Sequence, residues 1–371
     1  MASLICSTSG TTYPLLSPRW HGEGMSLLNI HHEIKFQPED VQPHLPGMWR
    51  YRTAIPLPDE TPLITQGEGF TPLIQKEIEG RKVWLKLDHV FPSGSYKDRG
   101  GTALMTLAKA MGVSRVVQDS SGNAGCAVAH YGALAGIDCD IFVPADTSPA
   151  KLSQIRAYGA RLHLVPGSRE DTAQAARTAA NDTFYASHVW HPFFYEGTKT
   201  FAYEICEQMG WRAPDTVILP AGNGTLLLGC EIGFRELKEM NIIDRLPKLV
   251  GIQAAHCAPL YQAFHGEETL PQKVTVAEGI AIAAPLRGAQ MIKAVQTTGG
   301  TFLKVAEAEI ADTLHIMTQS GFFIEPTSAA VLAGLRQYVH DHARADEEIV
   351  SVTTGHGLKA AEKIDKILKN R

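Results

Sequence analysis

The sequence predicts an α/β protein made of two open parallel-sheet domains with a ligand cleft between them. Three observations carry this. From Val83 onward, short apolar runs alternate with helical segments, the rhythm of βαβ units. The chain's 371 residues suffice for roughly two domains at about 150 residues each. With 44% hydrophobic and 20% charged residues, it has the balance of a chain that buries a full core.

The first sixty residues are irregular, punctuated by Pro14, Pro18, Pro38, Pro43, Pro46, Pro56 and Pro58. They read as an extension wrapped on the surface, with a short β-ribbon. Strands are expected at 83–87, 115–118, 139–143 and 161–165, with helices over 100–111, 124–135, 149–158 and 170–181. On the first helix Leu104, Leu107, Ala108 and Met111 share a face. The third has proline in its first turn, where the missing N–H has no partner to lose. Helix 198–209, strand 216–219, helix 225–240 and strand 249–253 follow. Helices over 287–295, 309–319 and 328–339 and a strand at 348–352 complete the alternation, with no fixed-period repeat. The expected division is an extension over 1–60, a larger domain from 61–87 with 200–371, and a smaller α/β domain over 88–199.

Composition narrows the classes of function. A net charge of −5 and the lack of a dense Lys/Arg run argue against a general nucleic-acid binder, which needs a basic face to displace counterions. No apolar run approaches the ~18 residues that a membrane span requires. Residues 1–10 lack a basic segment followed by a long apolar stretch, so no signal peptide is expected. The six cysteines (Cys6, Cys126, Cys139, Cys206, Cys230 and Cys257) are scattered and never form C-x-x-C, the pattern of free thiols in the reducing cytoplasm. The last segment, 359–371, mixes lysine with acidic residues and reads as a solvated helix.

Four loops, each between a strand and a helix, carry the candidate chemistry, because open α/β sheets bind ligands at that edge. The first runs from Phe91 to Gly100 and holds Lys97 behind Ser93-Gly94-Ser95. A lysine at the mouth of an apolar helix suits imine formation, since desolvation disfavours the ammonium and frees the amine. Pairing with Asp98 as an ordinary helix-start lysine is the alternative. The second loop, Asp119-Ser120-Ser121-Gly122-Asn123, gathers hydroxyls and backbone N–H groups at a helix start, an arrangement suited to a carboxylate. Asn123 would donate to a phenolate oxygen; simple helix capping by Ser121 or Asn123 is the other reading.

The third loop is Gly222-Asn223-Gly224-Thr225-Leu226, after the strand at 216–219. Its glycines let backbone wrap a phosphate at the start of the next helix. The spacing departs from G-x-G-x-x-G, with Leu227 in place of the third glycine, and no Lys-Ser/Thr follows, so an isolated phosphate fits better than a pyrophosphate. A tight strand–helix turn without a ligand is the alternative. The fourth, Thr353-Thr354-Gly355-His356-Gly357, offers a threonine hydroxyl to a heterocyclic nitrogen, and its glycine-flanked His356 reads as structural. An imine lysine, an anion loop, a phosphate loop and a threonine loop together supply the contacts that pyridoxal phosphate (PLP) requires.

With these motifs the sequence resembles the threonine synthase branch of the PLP enzymes of tryptophan-synthase-β-like fold (fold type II). The resemblance is carried by W-R-Y-R at 49–52, G-E-G-F-T-P-L at 67–73, S-G-S-Y-K-D-R-G at 93–100 and S-S-G-N at 120–123. It continues through E-G-T-K-T at 196–200, G-N-G-T at 222–225, E-P-T-S-A-A at 325–330 and T-G-H-G-L-K at 354–359. It implies that the cofactor lies in the cleft, that the larger domain is the PLP-binding one, and that Lys97 is the Schiff-base lysine and later the proton shuttle at the substrate α-carbon. Asn123 would face the ring hydroxyl, the backbone of Gly222, Asn223, Gly224, Thr225 and Leu226 the phosphate, and Thr354 the pyridine nitrogen. Ser120, Ser121 and Gly122 would hold the substrate carboxylate, and the enzyme would be a homodimer.

The sequence departs from that family where a phosphorylated substrate would bind. Threonine synthases act on O-phosphohomoserine and typically carry Asn-Ser-x-Asn-Pro-x-Arg before E-G; here the stretch is His188-Val189-Trp190-His191-Pro192-Phe193-Phe194, so the arginine becomes Phe194. Ala124 and Leu226 likewise replace polar residues of the pattern. Without an arginine fork a dianion loses its strongest charge-assisted contacts, unless Arg99 or Lys199 takes over. The expected activity is therefore β- or γ-elimination or replacement on a less charged amino acid. Threonine synthase itself, a serine/threonine dehydratase-type lyase and a non-catalytic PLP carrier are the alternatives. The extension keeps only Cys6 of a zinc-ribbon-like pattern, too few thiols for a structural zinc, so no metal is expected. Protein purified with PLP should be yellow, and borohydride should fix the chromophore to Lys97. Lys97→Ala should lack the band, and a colourless wild type that takes up no PLP would point to the non-enzyme class.

Overall fold

The computed structural model describes residues 2–147, 149–268 and 270–369. The chain forms two compact units: Met1–Glu68 with Lys97–Thr198, and Gly69–Tyr96 with Lys199–Arg371. In chain order the strands are β1 (Ser3–Cys6), β2 (Thr12–Pro14), β3 (Leu28–His31), β4 (Leu73–Ile78), β5 (Arg81–Lys86), β6 (Arg115–Gln118) and β7 (Asp138–Pro144). They continue as β8 (Arg161–Val165), β9 (Phe184–Tyr185), β10 (Thr216–Pro220), β11 (Lys248–Ala254), β12 (Thr301–Val305) and β13 (Ile349–Val352). The helices are α1 (Lys97–Ala110), α2 (Asn123–Ala135), α3 (Pro149–Ala157), α4 (Arg169–Ala179), α5 (Phe193–Thr198) and α6 (Thr200–Gln208). After them come α7 (Thr225–Glu239), α8 (Pro259–His265), α9 (Gly288–Thr297), α10 (Glu307–Gln319), α11 (Pro326–Asp341) and α12 (Ala361–Lys369). Positions 370 and 371 of the expected C-terminal helix lie outside the described residues.

The first unit holds a parallel sheet in the order β8-β7-β6-β9. Val116, Val117, Ile141 and Val143 are fully buried, which is why these strands read as continuous apolar runs: a parallel sheet is covered on both faces. The short β9 carries no periodic signal and was not expected from sequence. The extension does more than wrap the surface. Its ribbon is a three-stranded antiparallel sheet, β2-β1-β3. Beyond it, Met48, Trp49 and Tyr51 are fully buried, and Met48 and Trp49 join Leu104 and Leu107 of α1 in one core cluster. The indole N–H of Trp49 is shared between Glu68 Oε1 and Thr102 Oγ1, each at 3.1 Å. These residues lie on a 3-10 turn, Gly47–Ala54, too short and too proline-flanked to show an amphipathic period.

The second unit holds the sheet β12-β11-β10-β13-β5-β4, parallel except for the edge hairpin β4–β5. That hairpin turns on Glu79 and Gly80, both with positive φ, as a two-residue hairpin loop demands. β4 was hidden in the sequence because Leu73–Ile78 lies on an edge and alternates weakly. β12 and α8 were also not expected. The helix expected over 198–209 is α6, and α5, which ends at Thr198, was not expected. Lys199 turns its ammonium to Glu236 at 3.0 Å, with both side chains buried. A second buried pair, Lys86–Glu204 at 2.7 Å, has both side chains at 0% exposure, and Lys86 also donates to Thr71 O and Gln208 Oε1.

Removing one member of such a pair strands a charge in low dielectric. Lys86→Met should lower stability by about 3–5 kcal/mol in urea unfolding, while Lys86→Met with Glu204→Met should recover most of the loss.

Candidate active site

In the second unit β10, β13 and β5 are neighbouring parallel strands, aligned Ile218↔Ser351 and Val352↔Lys86. From β10 the chain moves to β11 and β12 on one side and places β13 on the other, so the strand order reverses beside β10. Loops leaving the carboxyl ends of strands at such a switch point diverge and leave room for a ligand. Here those loops are 87–96, 353–356 and 221–224, three of the four segments the sequence singled out.

The segment before Lys97 is fastened residue by residue to the Thr-Gly loop. Ser93 O accepts from Lys359 Nζ at 2.9 Å, and Gly94 O accepts from the N–H of His356 at 2.9 Å. Ser95 bridges to Gly355, and the N–H of Tyr96 donates to Thr354 O at 3.0 Å. Gly94 has φ +85°, and an added Cβ would lie 3.2 Å from Lys359 Cδ, so this turn requires glycine. The Tyr96 hydroxyl lies 2.8 Å from Thr225 Oγ1, at the first residue of α7. Lys97 is the next residue in the chain. Its Cα is thus one peptide, about 3.8 Å, from a residue that touches both the glycine loop and the threonine loop.

Helix α7 takes Gly224 as its N-cap, at φ +78°. A glycine there offers no side chain to the first-turn N–H groups, which leaves the helix start suited to an anion. Thr354 is 1% exposed, and its Oγ1 lies 2.9 Å from the hydroxyl of Ser328 on α11. His356 Nδ1 accepts from the N–H of Leu358 and so caps a 3-10 turn.

In the first unit β6 is the switch strand, with β7 on one side and β9 on the other. The loop after β6 carries Asp119, Ser120, Ser121, Gly122 and Asn123, and the loop after β9 leads into His188 and Phe194. The two strands are tied by Ala186 N donating to Val117 O and by Gln118 Nε2 donating to Ala186 O. α2 has Gly122 as its N-cap, a residue with no side chain to cap with. A Cβ added at Gly125 would lie 1.9 Å from Ser120 O, so only glycine lets α2 approach the loop.

Lys97 begins α1, and its ammonium lies 5.7 Å from the centre of the Phe194 ring. Two glycines set that geometry. A Cβ on Gly100 would come within 2.2 Å of the Phe194 ring, and one on Gly197 within 1.9 Å of Arg99 O. Backbones of α1 and α5 therefore meet, and the fully buried ring is pinned beside Lys97. His188 lies at 6.0 Å from Phe194, centroid to centroid. Burial holds this imidazole neutral, with the positive charges of Lys97 and Arg169 adding to the effect, so its pKa falls well below 6.5. Asp119 is pushed the opposite way, above the usual carboxylate range, by its burial, which Arg169 and Tyr185 partly offset.

Sequence reasoning missed Tyr96 and Ser328, the two residues that tie the loops together. Both stood inside recognised motifs, but a tyrosine and a serine there have no signal apart from their partners. Gly100 has no signal of its own within its motif, although Phe194 sits against it.

An open, mostly parallel sheet whose switch-point loops lead into a helix start without a side-chain cap and a buried threonine hydroxyl is the architecture of a ligand-binding α/β protein. Comparisons name the family. The model of the family described as pyridoxal-phosphate dependent enzyme matches residues 64–355. The chain is 34% identical over 372 residues to a threonine synthase of Methanocaldococcus jannaschii, covering 95% of this chain and 92% of that one. It is 35% identical over 318 residues to a threonine synthase of Mycobacterium tuberculosis, covering 83% and 87%. Among solved structures it matches the processed form of threonine deaminase isoform 2 from Solanum lycopersicum, with a TM-score of 0.69 at 21% identity, over 81% of this chain and 84% of that one. Maize serine racemase matches with a TM-score of 0.67 at 20% identity, over 81% and 92%. The chain belongs to the PLP-dependent enzyme family and has the fold of its type II members. The lysine at a helix start, the glycine-capped α7 and the buried hydroxyl of Thr354 fit that cofactor.

His188 generates a pH prediction. The unfolded chain takes up its proton near pH 6.5, but the folded chain does so only at lower pH. Between the two values the unfolded state binds more protons, so stability is lost as pH falls below 6.5. His188→Gln should flatten that acid loss in urea unfolding measured across the pH range, and an unchanged slope would contradict it.

Proposed function

We propose that this PLP-dependent enzyme catalyses elimination or replacement at the β- or γ-carbon of an amino acid that carries less charge than O-phosphohomoserine. The observation that carries the reading is the fully buried Phe194 ring, 5.7 Å from the Lys97 ammonium, where threonine synthases typically place an arginine. An apolar ring there supplies no bidentate contact to a dianion. His188 is neutral and adds no charge, and Val189 is buried beside it in sequence. Lys199 does not compensate, because Glu236 takes its ammonium and Tyr203 donates to the other carboxylate oxygen.

In this reading Lys97 holds the cofactor and moves the proton at the substrate α-carbon. Ser120, Ser121 and Gly122 bind the substrate carboxylate, and Asn123 donates to the ring hydroxyl. The backbone from Gly222 to Leu226 takes the phosphate, at the helix start that Gly224 leaves uncapped. Thr354 orients the ring through its nitrogen. When bound, PLP supplies the electron sink that lets the α-carbon lose its proton. A neutral threonine at the ring nitrogen keeps that sink moderate, which suits elimination and replacement better than transamination. Six free, buried cysteines are compatible with a reducing cytoplasm as the place of work. Threonine synthase proper is the second reading, favoured by 34% identity over 95% of the chain.

Steady-state kinetics decide between them. Wild type should turn over O-phosphohomoserine poorly compared with serine- or homoserine-type substrates bearing smaller leaving groups. Phe194→Arg should raise kcat/KM for O-phosphohomoserine by roughly 10–100-fold, the worth of one charge-assisted contact. Rapid release of phosphate with threonine formed by the wild type would overturn the first reading.

A further inference from the structure

We propose that Ser328 is a positioning residue that fixes the direction of the Thr354 hydroxyl, leaving its proton free to be donated to the cofactor's ring nitrogen. The inference rests on Thr354 facing that nitrogen, as proposed above, and goes beyond it to the residue that decides which partner donates.

A serine hydroxyl has one proton to donate and two lone pairs to accept with. Ser328 Oγ lies 2.8 Å from the backbone N of Thr354 and 3.0 Å from that of Gly355. Both are N–H donors, so both lone pairs are taken. The remaining short contact is 2.9 Å to Thr354 Oγ1. Ser328 must supply the proton there, because accepting a third hydrogen bond would exceed its capacity. The competing acceptor, Gly355 O, lies farther away at 3.4 Å. Thr354 Oγ1 therefore accepts from Ser328, and its own proton points elsewhere.

Both hydroxyls are buried, at 0% and 1% exposure, so a misdirected proton would find no bulk water to satisfy it. Ser328 is held rigidly: it sits in the first turn of α11, its N–H donates to Glu325 O, and the N–H of Glu325 donates to Gly355 O. The first turn of α11 and the Thr-Gly loop thus form one hydrogen-bonded unit that presents a donor. A donor at that point favours an unprotonated pyridine nitrogen; a protonated one would face an O–H of the wrong polarity.

The test is nitrogen NMR of the holoenzyme reconstituted with ring-15N PLP, together with PLP affinity. Wild type should show an unprotonated, hydrogen-bonded nitrogen. Ser328→Ala should move the resonance toward that of a pyridine without a donor and weaken PLP binding roughly tenfold, the size of one net hydrogen bond. Ser328→Thr should restore both. Thr354→Val should move the resonance as Ser328→Ala does, and the double variant should add nothing further. Should Ser328→Ala fail to hold the cofactor, Ser328→Cys, a weak donor of similar shape, is read in the same way. A pyridinium resonance in wild type overturns the inference, as does a loss of affinity in Ser328→Ala with no movement of the nitrogen. A Thr354→Val variant that leaves the resonance unmoved removes the placement of Thr354 itself.

Discussion

The structure depends on the hydrogen-bonded seam between residues 93–96 and the loop 354–359. Four consecutive residues on one side meet their partners on the other through backbone bonds, a bridge and one lysine. Because Tyr96 is held twice, by Thr354 O through its amide and by Thr225 Oγ1 through its hydroxyl, the residue after it has little positional freedom. That residue is Lys97. A flexible lysine side chain is a poor positioning device by itself, so its Cα must be fixed by the backbone, and the seam does this with groups that any sequence possesses. Gly94 is the one side-chain requirement, set by its positive φ and by the approach of Lys359.

A different constraint acts at the other end of Lys97's surroundings. Gly100 and Gly197 let two helices meet at backbone distance, and the Phe194 ring fills the space left. In the proposed reading, substrate choice resides in the side chain at this crossing, on a fold that does not by itself fix function.

The alternation of apolar runs and helical segments was legible because parallel strands covered on both faces are apolar at every position, and because their helices are long enough to show a period. What escaped was short or edge-bound: β9 with two residues, β4 on a sheet edge, and the 3-10 turn that carries Trp49 into the core. The proline-rich opening disguised that turn, because proline count reports where helices cannot run and says nothing of what is buried. The ion pair of Lys199 with Glu236 was invisible for a similar reason, since the partner stands thirty-seven positions away.

By itself the sequence determined the fold class and the family, and it offered the residue types that the proposed chemistry uses: an amine at a helix mouth, glycines before a helix, a hydroxyl after a strand. Each is a local property, set by neighbours within a few positions. Tertiary structure alone decided that Tyr96 links two of those loops, that Phe194 rests on Gly100 beside Lys97, and that Ser328 spends both lone pairs on the threonine loop. Those are contacts across tens to hundreds of residues, and a hydrogen bond's direction depends on the count of partners around both atoms, which no single motif contains.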